Sequence, residues 1–149
     1  MKIIHIITGL STGGAEMMLY KLLSQINSDE FESEVISLTD AGSVADKIKM
    51  LGVPVHAIGM KRGKVNPIAL IKLMLFLRKK KPDLVQTWLY HSDLIGGLAA
   101  KSAGCIRILW SIRQSNIEAD SNKRSTIWTA KACAQLSLWL PEKIICCSH

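Results

Sequence analysis

A chain of 149 residues with 48% apolar content is the size of one folded domain, which excludes a disordered chain. Its net charge of +7 favours anionic partners without choosing among nucleotides, anionic lipids and nucleic acid. Nucleic acid is the weakest of these, because two tyrosines and two phenylalanines form no stacking motif.

The first stretch, Lys2-Ile-Ile-His-Ile-Ile-Thr-Gly9, predicts a buried strand, because Ile3, Ile4, Ile6 and Ile7 suit a strand covered on both faces. Gly9, Gly13 and Gly14 follow in a loop of small residues. Met18, Leu19, Leu22, Leu23 and Ile26 then predict the apolar face of a helix. Asn27-Ser28-Asp29 is a break, and residues 34–39 read as a second strand. Ser43 is the expected cap of a short helix with Val44, Ile48 and Leu51 on its stripe and Gly52 at its end. Residues 53–58 form a third strand, with its proline at the start.

Lys61, Arg62 and Lys64 fall in a basic loop, after which Asn66-Pro67 caps and opens a helix reaching about Lys80. The run Arg78, Lys79, Lys80 and Lys81 complements the negative end of that helix. It reads as a solvated helix end or, more sharply, as a docking patch for anionic lipid beside Leu73, Leu75, Phe76 and Leu77. Residues 84–89 are a fourth strand, and Tyr90-His91-Ser92-Asp93 reads as a polar loop before a glycine- and alanine-rich helix over residues 94–103. Residues 107–112 are a fifth strand, followed by the polar segment Arg113-Gln114-Ser115-Asn116. A last helix is expected from Lys123 to Leu140, ended by Pro141, before a sixth strand over residues 143–147.

The longest apolar stretch, Ile68 to Leu77, is interrupted by Lys72 and is about half a bilayer span, while His5 cuts the apolar start before it forms a signal-peptide core. No crossing of a membrane is expected. Cys105, Cys133, Cys146 and Cys147 form no C-x-x-C pair, and they read as small core residues of a reduced, cytoplasmic chain rather than as metal ligands.

The alternation predicts an α/β fold: a Rossmann-like parallel sheet of about six strands with helices on both faces. Ligands on such sheets bind at the carboxyl ends of the strands, near the switch in strand order. Gly13 and Gly14, His91, and Arg113 follow the first, fourth and fifth strands, so all belong on that edge. The glycines do not give G-x-G-x-x-G. Gly9 and Gly14 match the spacing of a Walker loop, but Ala15 and Glu16 stand where its lysine and hydroxyl would be. Dinucleotide-dependent dehydrogenase and P-loop ATPase are both disfavoured.

Thr12-Gly-Gly-Ala-Glu16 at a helix start resembles the N-terminal domain of family-4 glycosyltransferases of the GT-B fold. The opening strand, Lys81-Pro-Asp-Leu-Val, Trp88-Leu-Tyr-His-Ser-Asp93, residues 109–116 and Lys143-Ile-Ile-Cys-Cys-Ser148 fit the same pattern in order along essentially the whole chain. The resemblance implies a retaining transferase moving a sugar from a nucleotide-sugar donor to a lipid-linked or polysaccharide acceptor at the cytoplasmic face of a membrane. The nucleotide-sugar is then a substrate, with neither cofactor nor metal required.

By position, Gly13 and Gly14 would approach the donor diphosphate, while Glu16, His91 and Arg113 would line the acceptor side of the cleft. Arg113 stands where many members have histidine; as arginine it would act electrostatically, on phosphate or an anionic acceptor. No residue is named as sole catalyst. The resemblance further implies a C-terminal donor domain, in cis or in trans, beyond the 149 residues, so that this half alone would transfer little or nothing. The alternative is a stand-alone Rossmann-like module that binds a nucleotide or anion without catalysis.

Overall fold

Side chains on both faces of the first strand need cover, and the fold supplies it with helices on either side. In the computed structural model, which describes residues 1–61, 66–105, 107–112 and 124–146, β1 (Lys2–Ile7) buries all four isoleucines. The chain continues through α1 (Gly14–Gln25), β2 (Glu32–Ser37), α2 (Gly42–Met50), β3 (Val55–Ala57) and α3 (Pro67–Lys80). It then forms β4 (Leu84–Trp88), α4 (Tyr90–Ser102), β5 (Ile108–Ile112), α5 (Arg124–Leu136) and β6 (Lys143–Cys146).

The six strands make one sheet of order β3-β2-β1-β4-β5-β6, parallel at every pairing. Pairing of His5 with both Val35 and Gln86 puts β1 at the centre. On one face Ile7, Val35 and Trp88 pack with Leu19 and Leu23 of α1 and with Val44, Ala45 and Ile48 of α2. On the other, Ile4, Ile6, Val85 and Trp110 pack with α3, α4 and α5 through Leu73, Leu77, Ile95, Ala99 and Cys133. The small residues of α4 allow a close approach to the sheet. A methyl group added at Gly96 would sit 3.0 Å from Thr87 Cγ2, and one at Gly97 would sit 3.1 Å from Trp110 Nε1.

The predicted order of elements holds, and several boundaries move. α4 begins at Tyr90, so the polar segment read as a loop is its first turn. Ser92 and Asp93 are buried there with their side chains hydrogen-bonded, which is why polar residues sit inside the helix. Ser43 does not cap α2: the helix starts at Gly42, and the Ser43 hydroxyl lies 3.0 Å from Thr12 Oγ1 instead. Of the expected α1 face, Leu19 and Leu23 are buried together with Ala15, whereas Met18 and Leu22 lie at its margin and are exposed.

Leu51 likewise falls past the end of α2 and is exposed. β2 starts two residues earlier than expected, although the Leu38 and Thr39 N–H groups still donate to the Ile7 and Thr8 carbonyls at the end of β1. α5 stops at Leu136, four residues short, and the turn that follows lets Leu140 bury. Asn66 caps α3 as expected, its side chain accepting from the Ile68 N–H at 3.0 Å.

Candidate functional site

The strand order reverses direction between β1 and β4, so the loops leaving these two strands border the switch point at the carboxyl edge of the sheet. One of them leads through Gly13 into Gly14 at the start of α1, and the other runs straight into α4, whose first turn carries His91. They adjoin: Thr8 Oγ1 lies 3.4 Å from Ser92 Oγ.

The loop after β1 is held from beneath. The Thr39 N–H and hydroxyl both donate to the Thr8 carbonyl, at 3.0 and 2.8 Å, and the Val44 N–H donates to the Leu10 carbonyl at 2.8 Å. Gly42, at φ +54°, fits directly against the Leu10–Ser11 peptide, where a methyl group would overlap the backbone. The glycine that braces the loop is therefore Gly42, not a member of the loop itself.

Gly13 is the extended N-cap of α1 and Gly14 its first helical residue. Free N–H groups and the helix dipole favour an anion there. Glu16, in the first turn, folds its carboxylate back over Gly13, so that a methyl group added at Gly13 would land on it. The Glu16 carboxylate thus covers the Gly13 side of this helix start. Gly14 is exposed and open, with nothing within 4 Å of an added methyl group.

The second loop is a single residue. Leu89 takes φ +76° and ψ +148°, a conformation that is rare outside glycine and costs of order 1–3 kcal/mol. The strain is held in place by its surroundings. Ser92 Oγ donates to the Leu89 carbonyl at 2.9 Å and also bonds to the Trp88 carbonyl, and the Asp93 N–H donates to the Leu89 carbonyl at 2.9 Å.

Beneath the same turn Thr87 Oγ1 donates to Asp93 Oδ1 at 2.6 Å. Burial, only partly offset by this bond, pushes the Asp93 carboxyl up to about 7. Cys133 donates from its thiol to the Tyr90 carbonyl at 3.3 Å, and burial next to Asp93 pushes that thiol up to about 12. Asp93 and Cys133 thus support the turn from below. His91 is half-buried on it, and burial lowers its imidazole below the usual range, so at neutral pH it offers a hydrogen-bonding ring rather than a charge.

The structure brings Gly13, Gly14, Glu16 and His91 to the carboxyl edge; Arg113 lies outside the described residues, as do Arg62 and Lys64. The basic run at the end of α3 divides. Arg78 and Lys79 are exposed, and Lys81 is the left-handed C-cap, whereas Lys80 bonds Glu34 at 2.8 Å and sits over the Phe76 ring. Lys80 is thereby committed to the fold. Leu73 and Leu77 are buried as well, leaving Leu75 as the exposed member of that apolar set, with Phe76 half-buried. A cavity of about 140 Å³ lined by Leu77, Arg78, Lys81, Ala103 and Cys105 lies between the C-terminal ends of α3 and α4, at the opposite edge from the glycine loop.

The chain is a Rossmann-like α/β domain, a six-stranded parallel sheet with an open glycine loop at its switch point. The Glycosyltransferase Family 4 model matches residues 12–149, and the chain belongs to that family. No curated protein matches it in sequence. Among solved structures it is similar to Anabaena Alr3699/HepE in complex with UDP-glucose, with a TM-score of 0.73 at 15% identity over 96% of this chain and 36% of that one. It is also similar to Acinetobacter baumannii MurG, with a TM-score of 0.67 at 19% identity over 99% of this chain and 42% of that one. A third is the lipopolysaccharide outer core galactosyltransferase WaaB in its apo form, with a TM-score of 0.55 at 22% identity over 74% of this chain and 32% of that one. The chain thus spans between about a third and two-fifths of the length of these structures.

Proposed function

We propose that this domain is the acceptor-side half of a retaining glycosyltransferase, which moves a sugar from a nucleotide-sugar to a lipid-linked or polysaccharide acceptor at the cytoplasmic face of a membrane. The observation that carries the reading is the meeting of the α1 start and the α4 start over the β1/β4 switch point. They make one open wall of a cleft whose other wall would be a C-terminal donor domain, in cis or in trans. The UDP-glucose held by the Anabaena neighbour supports a nucleotide-sugar as donor.

In this reading the exposed backbone at Gly14 approaches the donor diphosphate, with Glu16 swinging away from Gly13 as the anion arrives. The freed Glu16 carboxylate and the neutral His91 ring then face acceptor hydroxyls. Arg113 pairs with phosphate or with an anionic acceptor. Charge building on the departing diphosphate is stabilised by helix N–H groups and cations, with no cofactor or metal needed.

Calorimetric titration of the chain with UDP- and GDP-sugars should show weak binding, and C-terminal halves of family-4 relatives added in trans should restore transfer with retained anomeric configuration. Tight nucleotide binding by the chain alone, with no transfer in any pairing, would instead establish a stand-alone nucleotide-binding module.

A further inference from the structure

Asp93 works across the strained turn from two sides. Its backbone N–H donates to the Leu89 carbonyl at 2.9 Å, and its Oδ1 accepts from Thr87 Oγ1 at 2.6 Å, two residues before the positive φ. The second carboxylate oxygen, Oδ2, has no hydrogen-bond partner among the described residues, and neither does Trp110 Nε1. Both side chains are fully buried. One orphaned atom is an acceptor and the other a donor, and a buried polar atom left unpaired is costly.

The two atoms belong to one place. Thr87 and Trp110 are register partners on β4 and β5, so their side chains share the sheet face that α4 covers. Asp93 is bonded to the first of them, and a methyl group added at Gly97 would sit 3.1 Å from Nε1 of the second. Asp93 and Gly97 are one turn apart on α4, where neighbours stand about 5–6 Å from each other. Two hydrogen bonds of ~2.8 Å in series span that length. Cys133 of α5 is near as well, since burial and the Asp93 charge together push its thiol up.

We propose that one buried water bridges Trp110 Nε1 and Asp93 Oδ2 and completes the support beneath the turn that presents His91. The indole N–H donates to the water, which donates in turn to the carboxylate; a protonated carboxyl donates to the same water instead, so the bridge serves both states. No other small occupant fits both ends. A cation has no lone pair for the indole N–H, and an anion would face the carboxylate. Glycine at position 97 leaves the space beside the indole N–H that an alanine methyl would fill. With its outer oxygen held, Asp93 keeps the Leu89 carbonyl in place, which makes Asp93 and Gly97 positioning residues for His91. This inference needs no glycosyl transfer, and its test uses neither donor nor acceptor.

The test is proton NMR of the chain, reading rotating-frame cross-peaks between water and the Trp110 indole proton, which Trp110→Phe assigns. Trp88, the other fully buried tryptophan, directs its indole to His5 on the opposite face of the sheet. Spectra are recorded above the Asp93 value of about 7, so that no carboxyl proton relays the signal. The native chain should give a cross-peak whose sign marks contact with a long-lived water rather than proton exchange. Asp93→Leu and Gly97→Ala should each lose it and shift the His91 imidazole resonances. Asp93→Asn, which keeps a polar partner for the water, should retain the peak and leave the imidazole near its native shift. The native spectrum and Asp93→Asn decide the matter even where a crowding variant fails to fold. Absence of the peak from the native chain or from Asp93→Asn would overturn the proposal, as would a peak that survives Asp93→Leu or Gly97→Ala. So would imidazole resonances that stay in place once the water is lost.

Discussion

Gly13 and Gly14 are neighbours with opposite surroundings, the first under the Glu16 carboxylate and the second open to solvent. Gly14 is helical, so alanine there loses less chain entropy on folding than glycine does. Gly14→Ala should leave stability unchanged or raise it by about 0.4–1 kcal/mol, read from urea unfolding. If a diphosphate approaches this backbone, the added methyl group should lower nucleotide-sugar affinity by about tenfold or more, the scale of one misplaced methylene in a fitted site. Wild-type affinity in that variant would place the diphosphate elsewhere. Glycine announces such a position in the sequence because few other residues leave the backbone bare. Leu89 is the contrary case: leucine signals no positive φ, and only the bonds from Ser92 and Asp93 around it reveal why the chain turns there.

Elements were legible where periodicity and burial agree, as in β1, and their edges were not legible where polar residues are buried. Residues 90–93 read as a loop because a serine and an aspartate seldom lie inside a helix, and their partners, Thr87 and the Leu89 carbonyl, become visible only when strand and helix are together. Glu34 was equally hidden. It sits inside β2, where burial pulls its carboxyl up, but bonds from Lys80 and Lys2, with His56 adding, outweigh that and hold it below the ordinary value. That cluster fastens α3 to the sheet and withdraws Lys80 from the surface. The brace beneath the glycine loop is the most sensitive of these junctions. Gly42→Ala combines strain at φ +54° with overlap on the Leu10–Ser11 peptide, so it should destabilise the fold by more than about 1 kcal/mol. Hydrogen exchange should show the loss of protection concentrated in residues 9–13 and the first turn of α2; uniform loss along the chain would contradict the brace.

For the molecule as a whole, the parallel sheet followed from alternation, but the balance of charge between its two helical layers did not, because burial of Asp93 depends on packing. That burial has a counterpart on the other face of the sheet. His5 is buried near Trp88, whose indole N–H points to its Nδ1 at 3.5 Å, and burial lowers the imidazole to about 4. Between pH 4.5 and 6.5 the unfolded chain protonates His5 and the folded chain does not, so His5 makes stability rise with pH by up to ~1.4 kcal/mol per pH unit. Asp93 does the reverse. Its folded value of about 7 against an ordinary 3.8 means that the folded state holds a proton the unfolded state has released, so its contribution is lost as pH rises through the same window. Glu34, held below its ordinary 4.5, matters only at lower pH. Urea unfolding of the native chain should therefore show stability nearly level from pH 4.5 to 6.5. Asp93→Asn should expose a rising slope of ~1 kcal/mol per pH unit, and His5→Gln, which keeps an acceptor for the Trp88 indole, a falling one. The double variant should return close to level, keeping only the small rise that His91 adds through its own burial. Equal slopes in all four proteins would mean that neither buried group changes its proton on folding, and the opposed contributions from the two faces of the sheet would not exist.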